Sequence, residues 1–404
     1  MRVKMTLVAA ALAGLTMMLL SGPAAADVIK VSPGQSIQSA INKADPGDTV
    51  KLAPGTYSES VQIKTDRITL KGSGSDETTI QPGTSSGDPF CEGNGICVAD
   101  VDVSDPNNPV VRNVIEGVHI KDLKVTGFDF TGVLFFGTSD QRVNDVLAEN
   151  NIGYGIAAFN TSGGQYWDNV TPQNHEAGIY VGDSPHADAV VRDNISYGNI
   201  GNGIFIRDSQ HGVVEDNQTF DNCIGILFLD TPAPTTGSDW TGSDNSANHN
   251  NTACPESEDG PAVSGLGIVI FAAQSITLED NTANGNQPGG DTPASAGIGV
   301  MSDPQSNLTA TNNTVKHNSA FGNSPVDLFW DQSGDNTFKA NRCKTSNPDG
   351  LCTAGHGHGH GQGDQGENGD HGNHGKNGGE HHKKHHHKHH KHHHKKHHHK
   401  HHND

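Results

Sequence analysis

The sequence predicts an all-β solenoid, in which short strands are wound into coils that stack in parallel. One observation is a repeated phrase of glycine followed by apolar residues, which begins at Gly132, Gly155, Gly178, Gly203, Gly225, Gly267 and Gly297. Four of the six intervals between these glycines are 22–25 residues long. A second phrase, Asn followed five residues later by another Asn, alternates with the first. An antiparallel sandwich instead predicts turns every 8–12 residues with no longer period, so we favour the solenoid.

The Asn phrase marks the bends between strands. Its pairs are Asn169 and Asn174, Asn194 and Asn199, Asn217 and Asn222, Asn245 and Asn250, Asn281 and Asn286, and Asn313 and Asn318. Asn tolerates left-handed backbone angles, which suits it to tight bends. Equivalent residues of stacked coils lie about 4.8 Å apart, so we expect the amides to bond from coil to coil as ladders. Inward Ile, Val, Leu and Phe then form one continuous apolar core.

The first 26 residues have the composition of a secretory signal peptide. Arg2 and Lys4 precede an apolar run that ends in Ala24-Ala25-Ala26. A basic start, a short apolar stretch and small residues before the cleavage point are typical of such a segment. We expect cleavage before Asp27, and a mature protein that is secreted or periplasmic and has no membrane span.

The net charge of the chain limits the classes of molecule that it can bind. Residues 27–352 hold 16 Lys and Arg against 41 Asp and Glu, which gives −25. A field of that sign repels phosphate backbones, so we expect no nucleic-acid partner for this region. It also argues against an unassisted polyanionic substrate, and favours neutral glycans or acidic ones bridged by Ca²⁺.

The segment before the first coil, residues 35–57, contains one helical apolar face formed by Ile37, Ala40, Ile41 and Ala44. Such a face can cover the open end of an apolar column. Together with the G-I-x-V and D-N-x4-N repeats, this segment resembles the right-handed parallel β-helix proteins of the pectin-lyase-like superfamily. The resemblance covers residues 28–345 and implies a β-helix domain over residues 27–352 with an N-terminal capping helix.

The activity that this resemblance implies is open. The superfamily includes NosD-type periplasmic proteins, carbohydrate-binding domains, sugar hydrolases, lyases and epimerases, so fold alone does not give function. An enzyme, if this is one, is expected to be a polysaccharide lyase, a hydrolase or an epimerase. The alternatives are a non-enzymatic extracytoplasmic metal-binding protein and a structural surface protein.

Six cysteines pair naturally by proximity along the chain. The expected disulfides are Cys91–Cys97, Cys223–Cys254 and Cys343–Cys352. An even number of cysteines in an exported chain favours disulfides. A zinc site would need ligands at tighter spacing.

Aligning the glycine phrases also gathers chemically active residues into one place. With GIYVGDSPHAD over GIFIRDSQHGV, Asp183 falls on Asp208 and His186 on His211. Asp230 extends the column by one coil, and Arg207 stands beside Asp208. Carboxylates, imidazoles and a guanidinium together predict an acid/base site or a Ca²⁺ site. The alternative is that each Asp simply forms a bend.

Two family motifs bear a loose similarity to this region. The sequence D-S-P-H at residues 183–186, with Tyr180 upstream, is similar to the D-P-H signature of β-helix uronan epimerases, although Ser184 interrupts it. Asp183, Asp208, His211 and Arg207 are similar in composition to the Asp, His and Arg cluster of polygalacturonase-like hydrolases. The resemblance therefore implies a carbohydrate-directed site here.

Residues 353–404 form a Gly-, His- and Lys-rich tail with 20 of the 26 His of the chain. Such a composition cannot bury apolar surface and predicts disorder. Imidazoles bind Zn²⁺, Cu²⁺ and Ni²⁺, so we expect an accessory divalent-metal site and no organic cofactor. The alternative is electrostatic adhesion to anionic cell wall, since imidazoles become charged in mild acid. The expected metal ligands are His381, His382, His385, His386, His387, His389, His390, His392, His393, His394, His397, His398, His399, His401 and His402.

Overall fold

A computed structural model describes residues 26–105, 109–256 and 261–353. These residues form a parallel β-helix whose coils have three strands each, and the strands of successive coils pair in parallel into three long sheets. The predicted signal peptide, residues 1–26, and the predicted tail, residues 353–404, lie almost entirely outside the described residues.

The first sheet follows the order of the chain. It contains Val28–Val31, Thr49–Leu52, Thr69–Lys71, the first halves of His119–Thr126 and Arg142–Glu149, Gln165–Trp167, Ala189–Arg192, the second half of Asn202–Glu215, Ser238–Ser243, Thr277–Glu279, Thr314–Lys316 and Thr337–Lys339. The second sheet contains Gly55–Glu59, Thr78–Thr84, the second halves of His119–Thr126 and Arg142–Glu149, Ile195–Tyr197, Gln218–Phe220, Ser246–Ala247, Thr282–Asn284, Ser319–Phe321 and Arg342–Cys343.

The third sheet begins each time at the glycine phrase. It contains Val61–Ile63, Ile96–Val98, Val133–Phe136, Ile156–Phe159, Ile179–Ser184, the first half of Asn202–Glu215, Ile224–Leu229, Leu266–Phe271, Ala296–Met301, Val326–Trp330 and Ser346–Asn347. Two short pairs lie outside the three sheets, Val101–Asp102 with Val110–Val111, and Ile115–Glu116 with Thr138–Ser139.

The glycines of the repeat are required by close approach between coils. A Cβ atom built on Gly203 would lie 2.6 Å from the carbonyl oxygen of Gly225, and one on Gly225 would lie 2.6 Å from that of Gly267. Neither contact is compatible with a side chain, because real Cβ atoms do not approach backbone so closely. Each repeated glycine therefore marks a position where the backbones of neighbouring coils are in close contact.

The predicted Asn ladders are present. In the first column, each side-chain amide donates to the carbonyl oxygen of the next at 2.9–3.1 Å, from Asn169 through Asn194, Asn217, Asn245, Asn281 and Asn318 to Asn341. The second runs from Asn151 through Asn174, Asn199, Asn222, Asn250 and Asn286 to Asn323. One assignment was wrong: Asn318 belongs to the first column, since Asn281 donates to it, and Asn313 lies at a different bend, where it accepts from the Ile276 backbone.

The capping helix is confirmed at Ile37–Ile41. Its N-cap, Ser36, accepts a hydrogen bond from the backbone N–H of Ser39, which satisfies one of the free donors of the first turn. Ile37, Ala40 and Ile41 are buried against the end of the apolar column. Among the described residues no helix is long and apolar enough to span a membrane.

All three predicted disulfides are formed. Their Cα–Cα distances are 5.6 Å for Cys91–Cys97, 5.8 Å for Cys223–Cys254 and 5.3 Å for Cys343–Cys352. The second anchors an insertion whose described residues are 251–256 and 261–265, and in which Cys254 pairs with Val263. The long interval between Gly225 and Gly267 is thus a single coil with insertions, because Ile226 pairs directly with Ile268.

Candidate functional site

The aspartate column lies where strands of the third sheet end. Pairing of Gly182 with Arg207 and of Ser184 with Ser209 places Asp183 directly beside Asp208. Pairing of Arg207 with Leu229 places Asp230 next in the column. Asp183 and Asp208 have left-handed backbones, with φ of 52° and 46°, which a short polar side chain accommodates at a bend. The predicted stacking of the three carboxylates is therefore correct in register.

Asp208 is engaged by the protein itself. Its side chain is wholly buried and accepts hydrogen bonds from the Thr231 backbone N–H at 2.7 Å, the Thr231 hydroxyl at 2.7 Å and Arg207 Nε at 3.0 Å. Both carboxylate oxygens are thereby occupied. Asp208 holds Arg207 and the following loop in place, so the geometry gives it a positioning role.

Asp230 is buried in the same way. It is 5 % exposed and accepts from the Gly237 backbone N–H at 2.8 Å. Burial raises its pKa, and the Gly237 bond opposes that shift, while the neighbouring Asp208 carboxylate raises it further. Asp230 closes the loop of residues 231–237 and holds its proton more tightly than an ordinary aspartate.

Asp183 is the member of the column whose side chain is exposed. Loss of hydration raises its pKa; Arg207 lowers it and Asp208 raises it. Its carboxylate is therefore accessible to a ligand, next to a guanidinium, with a proton affinity above that of a free aspartate. Of the six predicted catalytic residues, Asp183 and Arg207 are the accessible pair that lies within the aspartate column; His186 and His211 are also exposed, but they lie at the following bend.

The predicted alignment of the two histidines is wrong. Ser184 pairs with Ser209, at an offset of 25 residues, but Ala189 pairs with Gly212, at an offset of 23 residues. The coil of Asp183 therefore carries two extra residues in this bend, and His211 stands level with Asp188 instead of His186. His186 is exposed and lines an open pocket with Val111, Val114 and Asn160, on the outer side of the bend.

Beside Asp183 lies a group of aromatic side chains on the outer face of the third sheet. This aromatic cluster consists of Tyr154, Phe159, Tyr180 and Phe205. Tyr180 is its centre, with ring centroids 4.5 Å from Phe159, 4.8 Å from Tyr154 and 5.3 Å from Phe205. Tyr180 is buried by the others, which are half-buried and reach the surface.

The cluster depends on a local glycine. Tyr180 folds over Gly182 two residues along its own strand, and a Cβ at Gly182 would lie 2.1 Å from the Tyr180 hydroxyl oxygen. Burial raises the Tyr180 pKa, and the Asp183 charge raises it further. Tyr180 lies outside the main core, in the outer layer of the third sheet next to Asp183.

Apolar side chains continue along this face beyond the cluster. Ile224, Leu227, Leu266 and Val269 form a second buried group there, against which Phe205, Leu229 and Phe271 pack. Phe136 and Phe205 thus lie on the outer layer, whereas Phe135 and Phe228 fill the core as expected. This second group is covered, whereas the aromatic cluster has rings that reach the surface.

The aspartate column fits Ca²⁺ poorly. A calcium site needs several oxygens free to converge on one ion. Here the Asp208 oxygens are taken by Arg207 and Thr231, one Asp230 oxygen by Gly237, and the guanidinium adds positive charge. The expected Ca²⁺ therefore has no step in the chemistry of this site.

Another group of potential ligands was missed. Ligand atoms of Glu279, Asp280 and His317 lie within 4.8 Å of one another on the surface. Lys316 Nζ binds Glu279 at 2.8 Å, so this group is already neutralised in part. The repeat alignment could have revealed the group, because Glu279 pairs with Lys316 and Asp280 therefore precedes His317 in one column.

Comparison with protein families decides the identity of the fold. The family model described as "Right handed beta helix region" matches residues 68–238 and, in an overlapping match, residues 131–304. The chain belongs to the right-handed β-helix family. No curated protein sequence matches this member of the family significantly.

Solved structures show the same right-handed β-helix fold. A mannuronan C-5 epimerase A-module from Azotobacter vinelandii is 17% identical with a TM-score of 0.51, over 77% of this chain and 89% of that chain. An alginate lyase from Paenibacillus sp. is 16% identical with a TM-score of 0.51, over 79% and 99%. The catalytic domain of a GH87 α-1,3-glucanase is 13% identical with a TM-score of 0.54, over 81% and 66%. At these identities the likeness is one of fold.

Proposed function

We propose that this protein binds an extracellular carbohydrate on the outer face of the third sheet, where Asp183 acts as a general acid and gives its proton to the oxygen of a glycosidic bond as that bond breaks. The observation that carries the proposal is the exposed Asp183 carboxylate next to the aromatic cluster. Aromatic side chains provide the apolar surface on which sugar rings stack, and a neighbouring carboxylate provides a hydrogen bond or a proton.

The charges at the site support proton transfer. A general acid functions best when its pKa lies near the working pH, and desolvation raises the pKa of Asp183 above its ordinary value; Arg207 opposes this shift and Asp208 adds to it. Arg207 is fixed by Asp208 and can bind a sugar oxygen or carboxylate. The names of the similar structures, an epimerase, a lyase and a glucanase, are in keeping with carbohydrate as the ligand class.

The disulfides support a location outside the cytoplasm. The chain contains three disulfides. Disulfides persist in oxidising compartments and are rare in the cytosol. The predicted signal peptide at residues 1–26 agrees with this compartment, so we propose that the mature protein is secreted or periplasmic.

A glycan array followed by reducing-sugar and unsaturated-product assays tests the proposal on the full chain. Asp183→Asn is expected to abolish turnover and weaken binding of whichever glycan is retained. Asp216→Asn is a matched control, because Asp216 is also exposed with a left-handed backbone (φ 55°) and lies at a bend away from the third sheet. If Asp183→Asn and Asp216→Asn had the same turnover and glycan binding, Asp183 would not be part of the site.

We also propose, as a second function, that the His-rich tail binds divalent Zn²⁺, Cu²⁺ or Ni²⁺. This rests on composition, since 20 of 26 His fall in residues 353–404. Metal titration of the full chain and of a variant whose tail histidines are replaced by Ser tests it. Unchanged stoichiometry in that variant would contradict the proposal, and would leave the carbohydrate site unaffected.

A further inference from the structure

We propose a second binding surface, for a linear acidic polysaccharide, on the outer face of the first sheet. Four lysines follow one another there in strict register: Lys30 pairs with Lys51, Lys51 with Lys71, and Lys71 with Lys121. They therefore form a straight column with one lysine per coil, about 4.8 Å apart. This lysine column is Lys30, Lys51, Lys71 and Lys121.

The column is unusual in so acidic a domain. Residues 27–352 contain 16 Lys and Arg against 41 Asp and Glu. Six of those 16 basic residues lie on this sheet between its first strand and the Ala189–Arg192 strand. They are the four lysines of the column, Arg142 and Arg192. The negative charge of the domain is thus distributed unevenly, and this face is locally basic.

Fold stability does not account for the lysine column. Like charges directly opposite one another on neighbouring strands are destabilising. Asp122 is the acidic partner of two of them, 3.4 Å from Lys71 Nζ and 3.7 Å from Lys121 Nζ. Within the part of the chain that the structure describes, Lys30 and Lys51 are exposed and have no carboxylate within 4.0 Å. Their charges are therefore available to an external anion.

Polar and aromatic residues continue the column. Lys121 pairs with Asn144, Asn144 with Trp167, and Trp167 with Arg192. The Arg192 guanidinium lies 5.8 Å from the centre of the Trp167 ring. The His119 ring lies 6.0 Å from the same ring, so the half-buried Trp167 adds apolar surface beside the cations, which a purely electrostatic surface lacks.

The geometry favours a straight polymer of acidic sugars. The column is straight, and one coil is comparable in length to one sugar unit of an extended glycan, so the carboxylates that a straight chain turns toward this face can meet lysines of the column. A duplex nucleic acid carries its phosphates on a curved surface and would meet the acidic bends at Asp145, Asp168 and Asp193 beside the column. The surface is on a different sheet from Asp183, and the inference does not rest on catalysis there.

Binding of polygalacturonate to the full chain at pH 8, where the tail imidazoles are neutral, tests the inference. The variant carries Lys30→Gln, Lys51→Gln and Lys71→Gln. The matched control carries Lys43→Gln, Arg342→Gln and Lys344→Gln, which removes the same charge from exposed positions outside the first sheet. Thermal unfolding of both checks that the fold is retained.

We expect the first triple variant to lose about tenfold or more in affinity, with a weaker dependence on salt, and the control to change by less than about twofold. Neutral dextran should not bind at this surface. Equal losses in the two triple variants would overturn the inference, because net charge or the tail would then explain binding. The inference would also be overturned if polygalacturonate did not bind at all. The same holds if duplex DNA or anionic lipid vesicles bound and lost affinity in the first triple variant to the same extent.

Discussion

Asp183 and Asp208 occupy equivalent positions in adjacent coils and have nearly the same backbone angles, yet their environments differ. Asp208 is covered by Thr231 and Arg207, whereas Asp183 faces solvent beside Tyr180. The coil that follows determines this difference, because Thr231 belongs to the loop that closes over Asp208. Position in the repeat therefore predicts where a carboxylate lies, and the neighbouring loop determines whether it can act on a ligand.

The two aspartates should consequently respond differently to the same substitution. Asp208→Asn replaces an acceptor with an amide facing Arg207, and should lower the free energy of unfolding by about 1–3 kcal/mol. Asp183→Asn should leave it within about 0.5 kcal/mol. Urea denaturation of both variants and the parent measures this. A larger loss in the Asp183 variant would contradict the assigned roles.

Gly182 is predicted to be essential for the aromatic cluster. In Gly182→Ala the new methyl group collides with the Tyr180 hydroxyl, so the ring must leave its place between Phe159 and Phe205. Near-ultraviolet circular dichroism should change, and glycan binding should fall while the far-ultraviolet spectrum is retained. Gly299→Ala is the control, because its nearest atom, Met301 Cε, is 3.6 Å away. An unchanged near-ultraviolet spectrum in Gly182→Ala would refute this packing.

At the scale of the elements, the Asn ladders are predicted to contribute directly to stability. Asn222→Asp keeps the shape and removes the amide donor that binds Asn250 at 2.9 Å and the Ser196 carbonyl at 3.0 Å. A buried unpaired acceptor or charge should lower the free energy of unfolding by several kcal/mol. Asn312→Asp, at an exposed left-handed position, should change it by less than about 0.5 kcal/mol. Similar losses for both, measured by denaturant unfolding, would mean that the ladder is not stabilising.

Periodicity predicted the elements well because every coil repeats the same contacts. The glycine phrase, the Asn columns through Asn286 and the capping helix at Ile37–Ile41 all follow from local sequence and packing. The two extra residues at the bend after Ser184 were not predicted, since Asp-Ser-Pro-His and Asp-Ser-Gln-His align without a gap. An insertion that preserves the apparent motif is invisible to alignment and visible only in strand pairing.

For the whole molecule, the buried acid Asp230 predicts a pH dependence. Its folded pKa is raised, so ionising it costs more in the folded state than in the unfolded one. This cost is absent below the ordinary aspartate range and is incurred as pH rises through the raised pKa. Asp230→Asn keeps an oxygen for the Gly237 bond and should therefore stabilise the fold near neutral pH, with the gain vanishing in acid. Urea unfolding of the variant and the parent, near neutral pH and in acid, measures this gain in the free energy of unfolding. A gain that is larger in acid than near neutral pH would contradict the raised pKa of Asp230.

Net charge was an incomplete guide to the whole molecule. A total of −25 for residues 27–352 argued against an acidic glycan, but the lysine column concentrates positive charge on one face. Fields of exposed charges fade over about 8 Å in physiological salt, so a local surface can bind an anion that the total charge of the domain repels. Such a surface arises from strand register, which composition does not contain.

A crystal structure of the full chain with an oligosaccharide that it retains would test the carbohydrate site directly. We expect a sugar ring against the exposed edges of Tyr154, Phe159 and Phe205, with a sugar oxygen within hydrogen-bonding distance of the Asp183 carboxylate. A sugar bound elsewhere, with this face of the third sheet bare, would contradict the proposed site.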